Sequence, residues 1–143
     1  MVYIAAKELV DRYGALIAQI VSDPGKPSAS PATSPLVKRA LADATAEVDS
    51  YLQGRFILPL PFVPPVIAQI TADIAMYRLL VIRPDQTVED ARQRYEDAVK
   101  RLELIRKGQL DLGLPLAGAP GTHGAVEITS SRRMFSRKSL REA

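Results

Sequence analysis

The residues with the most evident chemical potential stand near the end of the chain, between positions 130 and 143. Five basic side chains and one acidic side chain give this stretch a net charge of +4, and three apolar side chains are set among them. Guanidinium groups pair with carboxylates or phosphates, and apolar side chains can anchor a segment in a partner's pockets. The pattern predicts a docking tail formed by Arg132, Arg133, Met134, Phe135, Ser136, Arg137, Lys138 and Leu140. A solvated, disordered end is the plainer alternative.

The sequence contains few residues that are suited to catalysis or to metal binding. The chain has no cysteine and one histidine, His123, which excludes thiol catalysis, cysteine-based zinc sites and multi-histidine metal sites. No Walker A, GxGxxG, GxSxG or HExxH motif occurs. Asp73 interrupts an apolar run, and a buried carboxylate needs a partner, for which Arg78, Arg55 and Tyr77 are the candidates. We therefore predict a binding or assembly protein, without enzyme activity, cofactor or metal.

Composition is that of one folded domain: 143 residues, 24% charged and 47% hydrophobic. Lys7, Glu8 and Asp11 lie in the opening segment, so we expect no signal peptide. The longest apolar-rich run, 66–82, carries Asp73 and Arg78, which favours a core helix over a membrane span. A cytosolic, non-secreted protein with no membrane contact is expected.

Helical spacing of apolar residues predicts an all-α fold, a small bundle of about four main helices. The first helix covers 5–21 and is broken at Gly14. The second begins at Ser34 and Pro35, as N-cap and first helical residue, and ends at Gly54. The third, 66–82, is apolar nearly all round and should be central. The fourth runs to 107 and ends at Gly108.

Between and after these helices, proline and glycine predict irregular chain. Residues 23–35 are expected to form an exposed loop, and 55–65 an extended connector packed across the helices. Residues 125–129 alternate briefly, as in a short strand. The predicted organisation is a helical body, 1–107, followed by a long extended C-terminal arm, 108–143, Gly-rich and then basic, which is loose in the free subunit and orders on binding.

Several segments of the chain form a pattern that is specific when they are taken together. They start at Tyr3 and DRYG (11–14) and are densest in ADATAEVDSYLQGRFILPL (42–60) with VPP (63–65). They continue through DIAMYR (73–78), RYEDA (94–98) and LGL (112–114) to Arg133, FSR (135–137) and Ser139-Leu140. This pattern resembles the head–tail connector (adaptor) family of Mu-like phages and prophages. It covers nearly the whole chain in order. Ala5, where relatives have Thr or Ser, and the loop at 23–35 depart from the family pattern.

The resemblance implies a structural protein of the virion neck, assembled in the host cytoplasm. Neighbouring copies, roughly twelve of them, would form a closed symmetric ring beneath the portal protein. Genomic DNA would pass through its channel without sequence-specific contact, and the ring would meet the next neck or tail protein. The C-terminal arm would dock on the portal. The alternative is a small DNA-binding protein that uses the same basic tail, whose binding should weaken steeply with salt.

Overall fold

Four α-helices make up the body of the protein. The computed structural model describes residues 2–21, 30–82 and 89–118. Its elements are α1 (Ala6–Val21), a single 3₁₀ turn (Pro31–Thr33), α2 (Pro35–Leu52), α3 (Pro65–Ile82) and α4 (Glu89–Arg106). Within these stretches there is no β-strand, and extended chain pairs at a bridge between Phe56 and Leu116. The predicted small all-α bundle is confirmed.

Helix α3 occupies the centre because its apolar residues cover nearly its whole circumference. It packs against α1, α2 and α4. Its length and mean hydropathy of 1.5 would allow it to cross a membrane, but 56% of the helix is buried inside the bundle. A buried core helix passes that length and composition test as readily as a membrane span does. The packing supports the prediction of a core helix.

Helices α2 and α3 form an antiparallel hairpin, with the start of α2 beside the end of α3. The buried stripe of α2 has the predicted helical spacing and consists of Val37, Ala40, Leu41, Ala44, Thr45, Val48 and Leu52. Pro35 is the first helical residue, as predicted, but the Ser34 side chain makes no capping hydrogen bond. The helix ends at Leu52, just before the predicted stop at Gly54.

The break predicted in the first helix is present. Tyr13, with φ −129° and ψ 24°, is non-helical inside α1, so the helix consists of two short pieces that meet at a kink. Leu9, Ile17 and Ile20, on either side of the kink, are buried. The kink allows both pieces to keep an apolar face against the bundle.

The chain before α2 is more ordered than the predicted exposed loop. The 3₁₀ turn Pro31–Thr33 contacts α1 and α2, and Ser34 is buried. Thr33 closes the turn by donating its hydroxyl to the Ser30 carbonyl at 2.8 Å. Proline fixes φ near the value that a 3₁₀ turn requires, which explains how a proline-rich stretch packs here. Residues 23–29 of the predicted loop lie outside the described residues.

Helix α4 covers the hairpin with Ala91, Ala98, Leu102 and Ile105. Glu89 and Asp90 stand in its first turn and Arg106 in its last, which suits the helix dipole. Gly108 has φ +79°, and the amides of Gln109 and Leu110 donate to the Leu104 carbonyl at 2.9 and 3.2 Å. This glycine-dependent reversal ends the helix as predicted.

Candidate functional site

The residues predicted to dock on a partner, Arg132–Arg133–Met134–Phe135–Ser136–Arg137–Lys138 and Leu140, lie outside the described residues, as does the predicted strand at 125–129. What the structure does describe is how the chain leaves α4 toward them. Residues 109–118, here called the exit segment, run back over the connector between α2 and α3. Leu114 is buried, and Leu110 and Leu112 pack against the core.

The exit segment pairs with the connector through the backbone. Phe56 and Leu116 form an antiparallel bridge, and the Ala117 amide donates to the Arg55 carbonyl at 2.8 Å. The connector is packed as predicted, with Phe56, Leu60 and Pro64 buried. The part of the predicted loose arm that is described, 108–118, is therefore attached to the body.

Arg55 holds this junction together. Its Nη1 donates to the carbonyl of Ile105 in the last turn of α4 and, at 3.5 Å, to the carbonyl of Leu110. Its guanidinium lies 5.3 Å from the centre of the Phe56 ring. A cation placed on the carbonyl end of a helix also interacts favourably with its dipole. The sequence raised Arg55 only as a partner for Asp73, so this role was missed.

Charge is divided unequally between body and tail. The described residues contain twelve Lys or Arg and twelve Asp or Glu, so their formal charge is zero. Most ion pairs among them are local and exposed, such as Arg12–Glu8 and Arg92–Glu96, and such pairs contribute little stability. The whole chain has a net charge of +3, so the +4 of residues 130–143 accounts for all of its positive excess.

A groove of about 450 Å³ opens between the start of α2, the end of α3 and α4. We call it the α2–α3 groove. Its wall includes Tyr77 and Tyr95, whose rings stack with centroids 4.6 Å apart. The remaining lining residues are Leu36, Arg39, Ala40, Asp43, Arg78, Val81 and Ile82. Leu36, Val81 and Ile82 are exposed, so the mouth of the groove is apolar.

Glu47, beside this groove, accepts hydrogen bonds from two of the residues that line it. It accepts from Arg78 Nη2 at 2.6 Å and from the Tyr95 hydroxyl at 2.9 Å, and so ties α2 to both α3 and α4. Burial and the hydrogen bond to Glu47 raise the pKa of Tyr95 to about 12. The Arg78 Nε is buried and has no hydrogen-bond partner among the described residues.

Asp73 lies at the edge of a second, smaller cavity of about 170 Å³ between α1, α3 and α4. It accepts from the Tyr13 hydroxyl at 2.8 Å and from Gln69 Nε2 at 3.2 Å. Burial and the hydrogen bond to Asp73 raise the pKa of Tyr13. The predicted partners Arg78, Arg55 and Tyr77 were wrong, because Asp73 lies on the side of α3 that faces α1. Its hydrogen bond from Tyr13 fastens α1 at the kink, whereas the bond from Gln69 lies within α3.

A third tyrosine–carboxylate bond holds the start of the described chain against α2. The Tyr3 hydroxyl donates to Asp49 Oδ1 on α2, and Tyr3 is buried, which together raise the pKa of the phenol. Within the described ranges no group of three or more His, Cys, Asp or Glu is placed to hold a metal ion.

Exposed apolar side chains on the connector were not singled out by the sequence. Ile57 and Phe62 on the connector and Leu116 on the exit segment are all exposed. The signal in the sequence is that the connector, 55–65, has six bulky apolar residues among four prolines, more than can all face one core in extended chain. The connector lies at the end of the hairpin opposite to the α2–α3 groove.

Comparisons with known proteins agree over nearly the whole chain. The family described as bacteriophage Mu, Gp36 matches residues 3–130. Gene product J of Escherichia phage Mu is 32% identical over 140 residues, covering 96% of this chain and 96% of that protein. The Mu-like prophage FluMu protein gp36 of Haemophilus influenzae is 34% identical over 114 residues, covering 80% of this chain and 77% of that protein.

Proposed function

Because the chain belongs to the bacteriophage Mu gp36 family, we propose that it is a structural protein of a Mu-like phage particle, the head–tail connector (adaptor). In this role copies form a ring, of roughly twelve, beneath the portal protein. The ring extends the DNA channel without sequence-specific contact and presents a platform to the next neck or tail protein. The location that follows is the virion neck, with assembly in the host cytoplasm.

The division of charge is the observation that carries the proposal. The described residues have a formal charge of zero, and the tail of +4 contains Met134, Phe135 and Leu140. A nucleic-acid-binding domain would be expected to present basic residues on a folded face as well. An interleaved basic and apolar tail is suited to an acidic protein surface with pockets, which here is the portal.

The exit segment supports the same role. Its pairing with the connector fixes Leu116 and Ala117, near the last described residue before the tail, at the end of the body where α2 leads into α3. Ring formation would multiply a weak contact per subunit into a stable joint. Ordering of the tail on docking trades conformational entropy for contact area.

The test is sedimentation of the chain with the portal protein encoded in the same genome. We expect a portal-sized complex that contains a ring's worth of this chain. Truncation after Thr129 should leave the helical circular dichroism of the body unchanged and abolish the complex. A truncated chain that joins the portal normally would refute the role of the tail.

Two sets of substitutions separate anchoring from charge. Alanine at Met134, Phe135 and Leu140 should weaken docking at all salt concentrations, because it removes apolar contact. Glutamine at Arg132, Arg133, Arg137 and Lys138, the basic residues of the predicted docking set, should weaken docking mainly at low salt. Glutamine at Lys7 and Lys38, which are exposed on the body, is the matched control and should change nothing.

Binding of DNA by the same tail is the second candidate, favoured by its five basic residues. Each phosphate contact makes binding more salt-dependent, so affinity for duplex DNA should fall steeply as salt rises. Portal docking anchored by apolar residues should fall less. Tight, salt-sensitive DNA binding without portal binding would favour this second function.

A further inference from the structure

The exit segment, 109–118, carries a leucine at every second position from 110 to 116. An alternating pattern suits extended chain that turns one face to a core. Most of these leucines do face the core: Leu114 is buried, and Leu110 and Leu112 pack against it, whereas Leu116 is 40% exposed. The alternation therefore explains why a segment without regular secondary structure lies on the body.

Few hydrogen bonds hold the exit segment in this position. Its backbone pairs with the connector at the Phe56–Leu116 bridge, beside which the Ala117 amide donates to the Arg55 carbonyl. The Arg55 side chain adds a long bond of 3.5 Å to the Leu110 carbonyl. Seven of the ten residues of the segment are exposed. Parts of a protein with few buried contacts open at a lower free energy than the core does, so this segment is suited to local opening.

Glycines stand where the exit segment changes direction. Among the described residues, positive φ occurs at Gly108, Gly113 and Gly118, with values of 79°, 66° and 82°. A Cβ at Gly113 or Gly118 would meet no atom within 4 Å, so the backbone conformation, rather than space, requires glycine at these two positions. Glycine adopts positive and negative φ about equally readily. The same residues therefore permit both the observed path and a straighter one.

We propose that the exit segment is a releasable strap with two positions. In the seated position it lies on the connector as described above. In the released position it turns away from the body at Gly108 as extended chain, while the four helices keep their packing. Release exposes Leu114 to water, so the seated position predominates in the free chain. The released segment lengthens the path from α4 to the tail by up to about 33 Å.

The link between release and docking of the tail rests on the proposed function. A partner that binds the tail and covers the leucines offsets the exposure of Leu114, so docking shifts the strap to the released position. By the same linkage, a chain that is released more often docks more tightly, because only the released fraction is competent to dock. A segment that stayed on the connector would make docking independent of its position.

Gly113→Ala tests the two positions, because alanine disfavours the positive φ of the seated strap and its Cβ meets no atom within 4 Å. The ratio of released to seated chain should rise about 5- to 30-fold. In native-state hydrogen exchange the Ala117 amide should exchange faster by the same factor, with the weak urea dependence of a local opening. Gly54→Ala is the matched control, because Gly54 has equally open surroundings without positive φ, and it should leave the exchange of Ala117 unchanged.

A disulfide can hold the strap in the seated position, and the chain has no cysteine of its own. In the register set by the Phe56–Leu116 bridge, Ile57 lies opposite Pro115, and both residues are exposed. Directly opposite residues have Cβ atoms about 5 Å apart, so the double variant Ile57→Cys/Pro115→Cys should form a disulfide. Sedimentation with the portal should show weak docking of the oxidised double variant, which reduction restores. Gly113→Ala should dock more tightly than the native chain, by up to about 30-fold.

Two results would overturn the proposal. One is an Ala117 amide that exchanges with the same free energy and urea dependence as the amides of α3, which would mean that the exit segment opens only with the whole body. The other is equal docking of the oxidised and reduced double variant, together with no gain from Gly113→Ala, which would mean that the segment stays seated when the tail docks. If the native chain forms no complex with the portal, the proposed function fails, and the exchange measurements still decide whether the strap opens.

Discussion

Replacing Arg55 by alanine should loosen the exit segment and lower the free energy of unfolding of the body. The guanidinium donates to the Ile105 carbonyl at the end of α4 and, at 3.5 Å, to the Leu110 carbonyl in the exit segment. A hydrogen bond from a charged donor contributes about 1.5 to 3 kcal/mol, and the long bond to Leu110 adds little. We therefore expect a loss of about 2 kcal/mol, which comes mainly from the Ile105 carbonyl.

Urea unfolding followed by circular dichroism measures this loss. With a slope of about 2 kcal/mol/M for a small domain, the midpoint should fall by about 1 M. Native-state hydrogen exchange gives the location: the Ala117 amide, which donates to the Arg55 carbonyl, should lose protection before the amides of α3 do. Arg55→Lys should recover only part of the stability, because an ammonium lacks the planar fork of the guanidinium.

Arg101→Ala is the control, because Arg101 is exposed on α4 and its removal should stay within about 0.5 kcal/mol of the native chain. If Arg55→Ala matched this control in both stability and exchange, the junction would not depend on the guanidinium. The exit segment would then be held by Leu114 and its backbone pairing alone.

Three further outcomes are expected. The free energy of unfolding should decline as pH rises from about 10, where the phenol of an unfolded chain ionises, to about 12, the pKa of Tyr95. The reason is that the folded state retains the Tyr95 proton over this range and the unfolded state does not. Urea midpoints measured across this pH range, with tyrosinate absorbance to follow ionisation, should show a smaller decline in Tyr95→Phe. Gly108→Ala should cost about 1 to 2 kcal/mol in thermal or urea unfolding, because φ is +79° and the new Cβ would lie 3.4 Å from the Arg55 guanidinium, and Gly108→Asn should cost less. A double-mutant cycle with Tyr13→Phe and Asp73→Asn should show a coupling energy of about 1 to 2 kcal/mol, and additive losses would mean that the 2.8 Å bond does not stabilise the fold.

Local signals in the sequence predicted the helices well. Pro35 starts α2, Gly108 ends α4 and the break near Gly14 appears at Tyr13, because each depends on the backbone preferences of one or two residues. The core position of α3 followed from another signal within one segment, the apolar residues that cover nearly its whole circumference. These features require no knowledge of which helix faces which.

Contacts between distant residues could not be predicted in the same way. Asp73 bonds to Tyr13, 60 residues away, and the choice among candidate partners depends on how α1 lies against α3. The position of the exit segment on the connector depends on one antiparallel backbone bridge between residues 56 and 116. Both features of the candidate site come from packing angles and chain reversals that no local pattern records. The docking residues of the tail remain predictions.

The balance of charge in the described residues has a consequence for how the protein behaves in solution. A particle with equal numbers of positive and negative groups lies near its isoelectric point at neutral pH, where electrostatic repulsion between particles is smallest. The basic tail contributes to an isoelectric point of about 9.3 for the whole chain, so we expect it to supply electrostatic repulsion between free copies at neutral pH. An acidic partner that neutralised the tail would remove that repulsion. Colloidal stability before assembly and cohesion after it would then be set by the same five basic side chains.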